Sequence, residues 1–317
     1  MITPDTIREA HDRIRPYIHR TAVLTNRTIN DRAGADLYFK CENFQKIGAF
    51  KARGGLNAVL QVAANREGTA ITTHSSGNHA QAIAFAARQV GLPAYIVMPR
   101  TAPQVKKDAV RGYGAEVIEC EPTLEAREVG VRDVIARTGA VLVHPFDDDR
   151  VIAGQATAAK ELIEDYGLGD TAPFDVMLAP VGGGGLLSGT ALATHYLSPA
   201  TRVIAGEPDG AADAVLSFRS GRVEKAPFVD TIADGLLTNL SERTLTIIRA
   251  HVADILTVSD AEIIAAMRLI WERMKIIIEP SCAVPLAVVL KYPNQFAGQK
   301  IGIILTGGNV DLGKLPF

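Results

Sequence analysis

The sequence predicts an α/β fold of parallel sheets with helices on both faces. Two observations carry that expectation: short β-branched or apolar runs alternate with helix-like segments along most of the chain, and three glycine-containing stretches fall where such runs end. Parallel neighbours need long crossover connections, so strands and helices must alternate in the sequence. Open sheets of this class hold their ligands beyond the carboxyl ends of their strands.

Taken in order, the runs are LYFKC at 37–41, AITT at 70–73, AYIVMP at 94–99, AEVIEC at 115–120 and AVLVHP at 140–145. VMLAPV at 176–181, RVIAGE at 202–207, ADILTV at 253–258 and IGIILT at 301–306 follow. One helix is marked at its start, where Ser259 and Glu262 make a capping box and Ile263, Met267, Ile270 and Met274 then share a face. Its methionines and Trp271 are core material. The four strand-helix units between about 70 and 147 suffice for a sheet of their own. The expected division is a small inserted domain of residues 70–147 and a large domain of residues 1–69 and 148–317. No repeat, low-complexity tract or linker marks the boundary.

With 317 residues the chain can bury a substantial core. Its 33 Lys and Arg against 35 Asp and Glu leave a net charge of −2, with no global field to recruit nucleic acid or anionic lipid. Small molecules or copies of itself are the expected partners. Cys41, Cys120 and Cys282 are odd in number and far apart, which argues against a disulfide framework or a zinc site. No stretch approaches the roughly 18 apolar residues of a membrane span, and the N-terminus lacks a signal-like run. A cytoplasmic location is expected.

The chemistry-bearing stretches are G-A-F-K-A-R-G-G around Lys51, H-S-S-G-N-H from His74 to His79, and V-G-G-G-G-L-L-S-G from Val181 to Gly189. The four glycines follow an apolar strand and open a helix of small residues, so their amides and the helix N-terminus form an anion site suited to phosphate. Neither G-x-G-x-x-G nor G-K-[ST] fits, which disfavours dinucleotide binding and a P-loop. A tight strand-to-helix turn would explain one or two glycines but hardly four. Lysines are ordinarily exposed. Lys51, however, sits between Phe50 and Ala52, and desolvation there lowers an amine's pKa toward the neutral form that condenses with aldehydes.

With C-E-N-F-Q-K-I-G-A-F-K-A-R-G from Cys41, S-S-G-N-H-A-Q-A from Ser75, the four glycines, T-I-A-D-G from Thr231, W-E-R-M-K-I-I-I-E-P from Trp271 and L-T-G-G-N-V-D-L from Leu305, the sequence resembles the fold-type II pyridoxal-phosphate enzymes. The likeness is to the serine/threonine dehydratase and serine racemase group, including the 3-hydroxyaspartate dehydratases. It runs nearly the whole chain in order. It implies the tryptophan-synthase-β-like fold with a large and a small lobe, a homodimer, and kinship with catabolic or racemase members instead of feedback-inhibited ones.

The resemblance implies a role for each matched position. Lys51 would carry pyridoxal 5'-phosphate as a Schiff base and take the substrate's α-proton. Phe50 would pack on the cofactor ring, Asn78 would bond its 3-hydroxyl, and Gly182, Gly183, Gly184, Gly185 and Leu186 would hold its phosphate. Thr306 stands where the family usually places a serine hydroxyl on the pyridine nitrogen. A neutral hydroxyl makes the ring a weaker electron sink than a carboxylate partner would, which suits loss of a β-leaving group. The loop of Ser75, Ser76 and His79 would grip the substrate carboxylate; an ordinary N-capped helix start explains S-S-G-N equally well.

Ser76 matches the residue that serves the opposite face of the substrate in racemases, which permits racemisation without predicting it. His79 reads as a loop-ordering residue, not a catalytic base. Glu207, Ala211 and Asp213 match a divalent-cation site of hard oxygen ligands, for magnesium first and calcium or manganese as alternatives; an acidic turn is the plain reading. Arg127 matches an arginine that could pair with a distal substrate carboxylate, against the reading of a helix arginine paired with Glu125 or Glu128. Phe146 stands where animal serine racemases carry a polar residue.

The expected reaction is elimination of water from a β-hydroxy amino acid such as L-serine, L-threonine or 3-hydroxyaspartate, giving an oxo or imino acid and ammonia. Serine racemase is the alternative within this chemistry. A non-catalytic metabolite-binding α/β protein is the alternative outside it.

Overall fold

The computed structural model describes residues 1–166 and 172–317. α1 (Pro4–Ile14) opens on Thr3, whose hydroxyl accepts from the Thr6 amide, with a proline in the first turn where its missing N–H has no partner to lose. β1 (Val23–Leu24), α2 (Arg27–Ala33), β2 (Asp36–Cys41) and α3 (Lys51–Asn65) follow. Next come β3 (Ala70–His74), α4 (Asn78–Val90), β4 (Ala94–Pro99), α5 (Gln104–Gly112), β5 (Glu116–Cys120), α6 (Leu124–Thr138) and β6 (Ala140–Leu142). The chain continues through α7 (Asp149–Tyr166), β7 (Val176–Pro180), α8 (Gly185–Leu197), β8 (Arg202–Pro208), α9 (Asp213–Ser220), α10 (Glu242–His251) and β9 (Asp254–Val258). α11 (Asp260–Met274), α12 (Pro280–Lys291), α13 (Pro293–Phe296) and β10 (Lys300–Leu305) complete it.

A six-stranded sheet has the order β1-β2-β10-β7-β8-β9, and a four-stranded sheet the order β5-β4-β3-β6. Every pairing is parallel except β1 with β2. Both faces of the larger sheet are buried. Along β7, Val176 and Leu178 pack into one apolar cluster with α11 and α12, while Met177 and Ala179 pack into another with α7 and α8. In the smaller sheet Ile71, Ile96 and Met98 face α3 and α4, and Val97 faces Val131 and Val134 of α6. Each such fully buried aliphatic side chain contributes roughly 1.5–3 kcal/mol. The expected α/β fold of parallel sheets is therefore observed.

Two local expectations change. In AVLVHP the strand ends at Leu142: the Val143 amide makes the last bond to β3, at the Thr72 carbonyl 3.0 Å away, Pro145 has no amide to offer, and the His144 Nδ1 then accepts from Asp147 at 2.9 Å and from Phe146 at 3.4 Å as the chain turns. β1, two residues long and antiparallel, was not expected. The Ser259 capping box is present, with the Ser259 amide donating to Glu262 at 2.7 Å.

This topology places the site. β7 and β10 are neighbours, from which the larger sheet runs outward through β8 and β9 on one side and β2 on the other. The glycine loop leaves β7 and Thr306 leaves β10, so both lie at a switch point of the sheet. In the smaller sheet β3 lies between β4 and β6, and its carboxyl end releases the Ser75–His79 loop.

Candidate active site

Lys51 begins α3 without a side-chain cap. The chain before it is fixed against the end of β10: Ala49 bridges Gly307, and the Phe50 amide donates to the Thr306 carbonyl at 2.9 Å. Two left-handed residues make the preceding turn, Ile47 at φ 60° and Gly48 at φ 71°. A β-branched residue there stores on the order of 1–3 kcal/mol of strain. Asn309 holds the turn: its Nδ2 donates to the Ile47 carbonyl at 2.8 Å, and a Cβ on Gly48 would meet its Oδ1 at 2.7 Å. The Lys51 Nζ donates to the Pro145 carbonyl at 2.8 Å and lies 5.3 Å from the Phe50 ring centre. Burial pushes its pKa down to about 8.

All four glycines of the loop after β7 are required by contacts. A Cβ on Gly183 would sit 2.2 Å from the Phe146 ring and one on Gly185 2.9 Å from the Phe146 Cβ. Gly182 would meet the Leu236 Cα at 2.9 Å, and Gly184, at φ +87°, would meet Leu240 and Thr244 at 2.8 Å. Gly184 caps α8 with no side chain, so the first amides of that helix are free to bind an anion. Leu186 is buried in the first turn. At the end of β10 the buried Thr306 hydroxyl has no hydrogen-bond partner among the described residues, and the weakly bonding Cys282 thiol lies beside it. An anion cradle, a desolvated amine and an orphaned hydroxyl fit the phosphate, aldehyde and ring nitrogen of pyridoxal phosphate.

Asn78 opens α4, and its amide is fixed from both sides. Its Nδ2 donates to the two Glu279 oxygens at 2.9 and 3.1 Å, and its Oδ1 accepts from the Asn309 Nδ2 at 2.8 Å. Glu279 caps α12 and is 4% exposed; burial pushes its pKa up to about 7. Neither Glu279 nor Asn309 was singled out in the sequence, although both lie in the matched motifs.

S-S-G-N is not a side-chain-capped helix start. The cap is Gly77, without a side-chain bond, while the Ser75 hydroxyl accepts from the Gly77 amide at 3.3 Å. Ser75 and Ser76 keep part of their surface open. The His79 ring is buried, and its Nε2 donates to the Val143 carbonyl at 3.0 Å, as a loop-ordering residue would. His144, another residue the sequence did not mark, packs edge-on against His74 at 5.7 Å and Phe146 at 4.6 Å. Burial pushes its pKa down to about 4, so it stays neutral and keeps the turn that presents the Pro145 carbonyl to Lys51.

Arg127 is half-buried on α6, and its Nε donates to its own helix at the Thr123 carbonyl, 3.3 Å away. Among the described residues it pairs with neither Glu125 nor Glu128; Glu128 faces Arg132 instead. Burial and the Arg127 charge together lower the pKa of His74, the last residue of β3. Glu128 on the same helix opposes that charge, so α6 brings one charge of each sign to bear on the residue preceding Ser75, and of the two the guanidinium has no carboxylate partner among the described residues.

Glu207, Ala211 and Asp213 are all buried where β8 leads into α9. Glu207 accepts from the Ala214 and Val215 amides at 2.6 and 2.9 Å, at the positive end of α9. Asp213 Oδ2 has no partner among the described residues. Burial pushes Glu207 up to about 8 and Asp213 to about 6. No group of three or more His, Cys, Asp or Glu side chains that could hold a metal occurs among the described residues; the expected set has two carboxylates and a backbone carbonyl.

Comparison with known proteins agrees with this geometry. Residues 14–307 match the family described as pyridoxal-phosphate dependent enzymes. The chain is 51% identical to a beta-hydroxyaspartate dehydratase of Paracoccus denitrificans, over 97% of this chain and 96% of that protein. It is 46% identical to an L-threo-3-hydroxyaspartate ammonia-lyase of Saccharomyces cerevisiae, over 98% and 95% of the two chains. The crystal structure of serine racemase from Dictyostelium discoideum superposes with a TM-score of 0.92 at 48% identity, covering 98% of this chain and 99% of that one.

Proposed function

The chain belongs to the family of pyridoxal-phosphate dependent enzymes, and from that premise we propose that it is a 3-hydroxyaspartate ammonia-lyase: loss of water leaves an enamine that tautomerises to an imino acid, and hydrolysis of the imino acid gives the oxo acid and ammonia. The observation that carries the choice of substrate is Arg127, whose guanidinium donates only to the Thr123 carbonyl of its own helix and has no carboxylate partner among the described residues. The names of two relatives above 45% identity support the same choice.

When bound, the cofactor supplies an aldehyde for the substrate amine and a ring that disperses charge from the α-carbon. Lys51 would hold that aldehyde. Released from it by the substrate amine, the Lys51 amine, whose pKa burial brings down to about 8, would take the α-proton. Thr306 Oγ1 would meet the pyridine nitrogen, Phe50 would pack on the ring, and Asn78, aimed by Glu279 and Asn309, would reach the 3-oxygen. The amides of Gly182 to Gly185 and Leu186 would hold the phosphate. The uncapped first turn of α4, from Ser75 to His79, would hold the substrate's α-carboxylate, and Arg127 its distal one.

Glu207, the Ala211 carbonyl and Asp213 would hold a divalent cation, magnesium first; a buried carboxylate oxygen without a partner supports it. Cytoplasmic residence and a homodimer belong to the same reading, with three free cysteines in support of a reducing compartment.

Serine racemase is the second reading, favoured by Ser76, which keeps part of its surface open, and by the 48% identity to the Dictyostelium serine racemase. The test is ammonia release by the holoenzyme from both 3-hydroxyaspartate diastereomers, L-serine and L-threonine. A 3-hydroxyaspartate should be the fastest substrate. Ammonia from none of them would reject the reading, and D-serine formed faster than ammonia would favour the second.

A further inference from the structure

We infer that Arg53 is a positioning residue for Lys51, aiming the lysine by clamping the opposite side of the first turn of α3. The inference rests on the reading that Lys51 carries the cofactor.

Arg53 is fully buried, and each of its five N–H groups has an acceptor. Nε and Nη2 grip Glu42 at 2.7 and 2.8 Å; Nη1 and Nη2 grip Glu161 at 2.9 and 2.8 Å; Nη1 also reaches the Thr157 hydroxyl at 3.1 Å. Two forked contacts hold the planar guanidinium in one orientation, which a lysine's point charge cannot do. The carboxylates are anchored in turn. Lys40 Nζ reaches Glu161 at 2.7 Å and the Thr21 carbonyl at 2.9 Å, the Thr21 hydroxyl donates to Glu42 at 2.5 Å, and His11 meets Glu161 at 3.2 Å. The clamp thus draws on α1, β2, the turn after β2, and α7.

Its placement gives it a direction. Residues two apart on a helix point about 200° from one another. Lys51 therefore faces Pro145 while Arg53 faces Glu42 and Glu161, and any roll of α3 would swing the amine. Next to Arg53, glycines bring α3 and α7 into backbone contact: a Cβ on Gly154 would meet the Gly54 Cα at 2.6 Å, and the Gly54 amide donates to the Gln155 side chain at 3.1 Å. Burying four charges is not needed to stabilise such a junction, since apolar side chains of the same volume often serve equally well. What apolar side chains lack is orientation.

The test compares holoenzymes. Arg53→Lys keeps the charge and loses the fork. The compensated variant Lys40→Met/Glu42→Gln/Arg53→Met/Glu161→Gln removes the charges together, so that none is stranded. Wild type must first trap the cofactor on Lys51 with borohydride; if it does not, the reading of Lys51 fails before Arg53 is judged. In variants that unfold cooperatively we expect kcat to fall by about tenfold or more with KM within about threefold, as for a misplaced catalytic group. We also expect the pH at which the visible cofactor band titrates to move, and the fraction trapped on Lys51 to drop. A folded Arg53→Lys or compensated variant with wild-type kcat and titration would overturn the inference. So would the failure of both variants to fold, because the network would then hold the fold and not the direction of one side chain.

Discussion

The Phe50 amide donates to the Thr306 carbonyl at 2.9 Å, so the residue before the buried amine of Lys51 and the residue that carries the orphaned hydroxyl share one backbone hydrogen bond. Lysine and hydroxyl are thereby set in a common frame at the end of β10.

That frame makes Thr306 separable from its surroundings. Among the described residues its buried hydroxyl has no partner stronger than the Cys282 thiol beside it, and an unsatisfied buried hydroxyl costs about 1–3 kcal/mol. Thr306→Val keeps the shape and deletes the hydroxyl. Thermal unfolding of the cofactor-free variant should match or exceed wild type, while its affinity for pyridoxal phosphate should fall by about two- to tenfold, the worth of one hydrogen bond. Thr306→Ser should hold the cofactor normally. Undiminished affinity in the valine variant would remove Thr306 from the site.

Glu279 gives a pH signature. Its carboxyl is raised from an ordinary 4.5 to about 7 by burial, with Asp234 adding to the rise and the Asn78 bond and the Lys106 charge opposing it. Between those values the folded chain holds a proton that the unfolded chain has lost, so this group's contribution to stability declines as pH rises from about 4.5 to about 7. Urea midpoints across that window should show a flatter dependence in Glu279→Gln. An unchanged slope would show that the carboxyl is not protonated there.

Arg127→Ala should separate substrates. If the guanidinium makes a charge-assisted contact with a distal carboxylate, kcat/KM for 3-hydroxyaspartate should fall by about 10- to 100-fold and that for L-serine by no more than about threefold. Equal losses would place Arg127 in the structure of α6 instead.

For the cation, chelation of the holoenzyme should lower its thermal midpoint, and added magnesium should restore it. Glu207→Gln should make the midpoint insensitive to both treatments. A wild type indifferent to chelator would leave Glu207 as the cap of α9 and nothing more.

Much of this was legible in the residues. The nine strand runs each overlap an observed strand: those inside the sheets because parallel strands buried on both faces demand apolar or β-branched sequence, and AEVIEC, at an edge and partly exposed, because polar and apolar residues mix there. The glycines can be read directly, as a run that follows a strand and opens a helix; Lys51, Asn78 and Thr306 stand out only through the family resemblance, which makes Thr306 a change from the usual serine. Glu279 was not legible as a site residue: a glutamate before a proline reads as a helix start, and its pairing with Asn78, 201 residues away, exists only once the fold brings them together. Arg53 hid for the same reason, since its partners Glu42 and Glu161 come from separate elements. AVLVHP is apolar beyond its strand because Val143 is buried and still bonds to β3 while Pro145 breaks the ladder.

The most direct test is borohydride reduction of the protein after incubation with pyridoxal phosphate, followed by digestion and mass spectrometry. The cofactor's mass should appear on the peptide containing Lys51, and Lys51→Ala should be colourless and unlabelled. A label confined to another lysine, or a wild type that takes up no cofactor, would contradict the assignment.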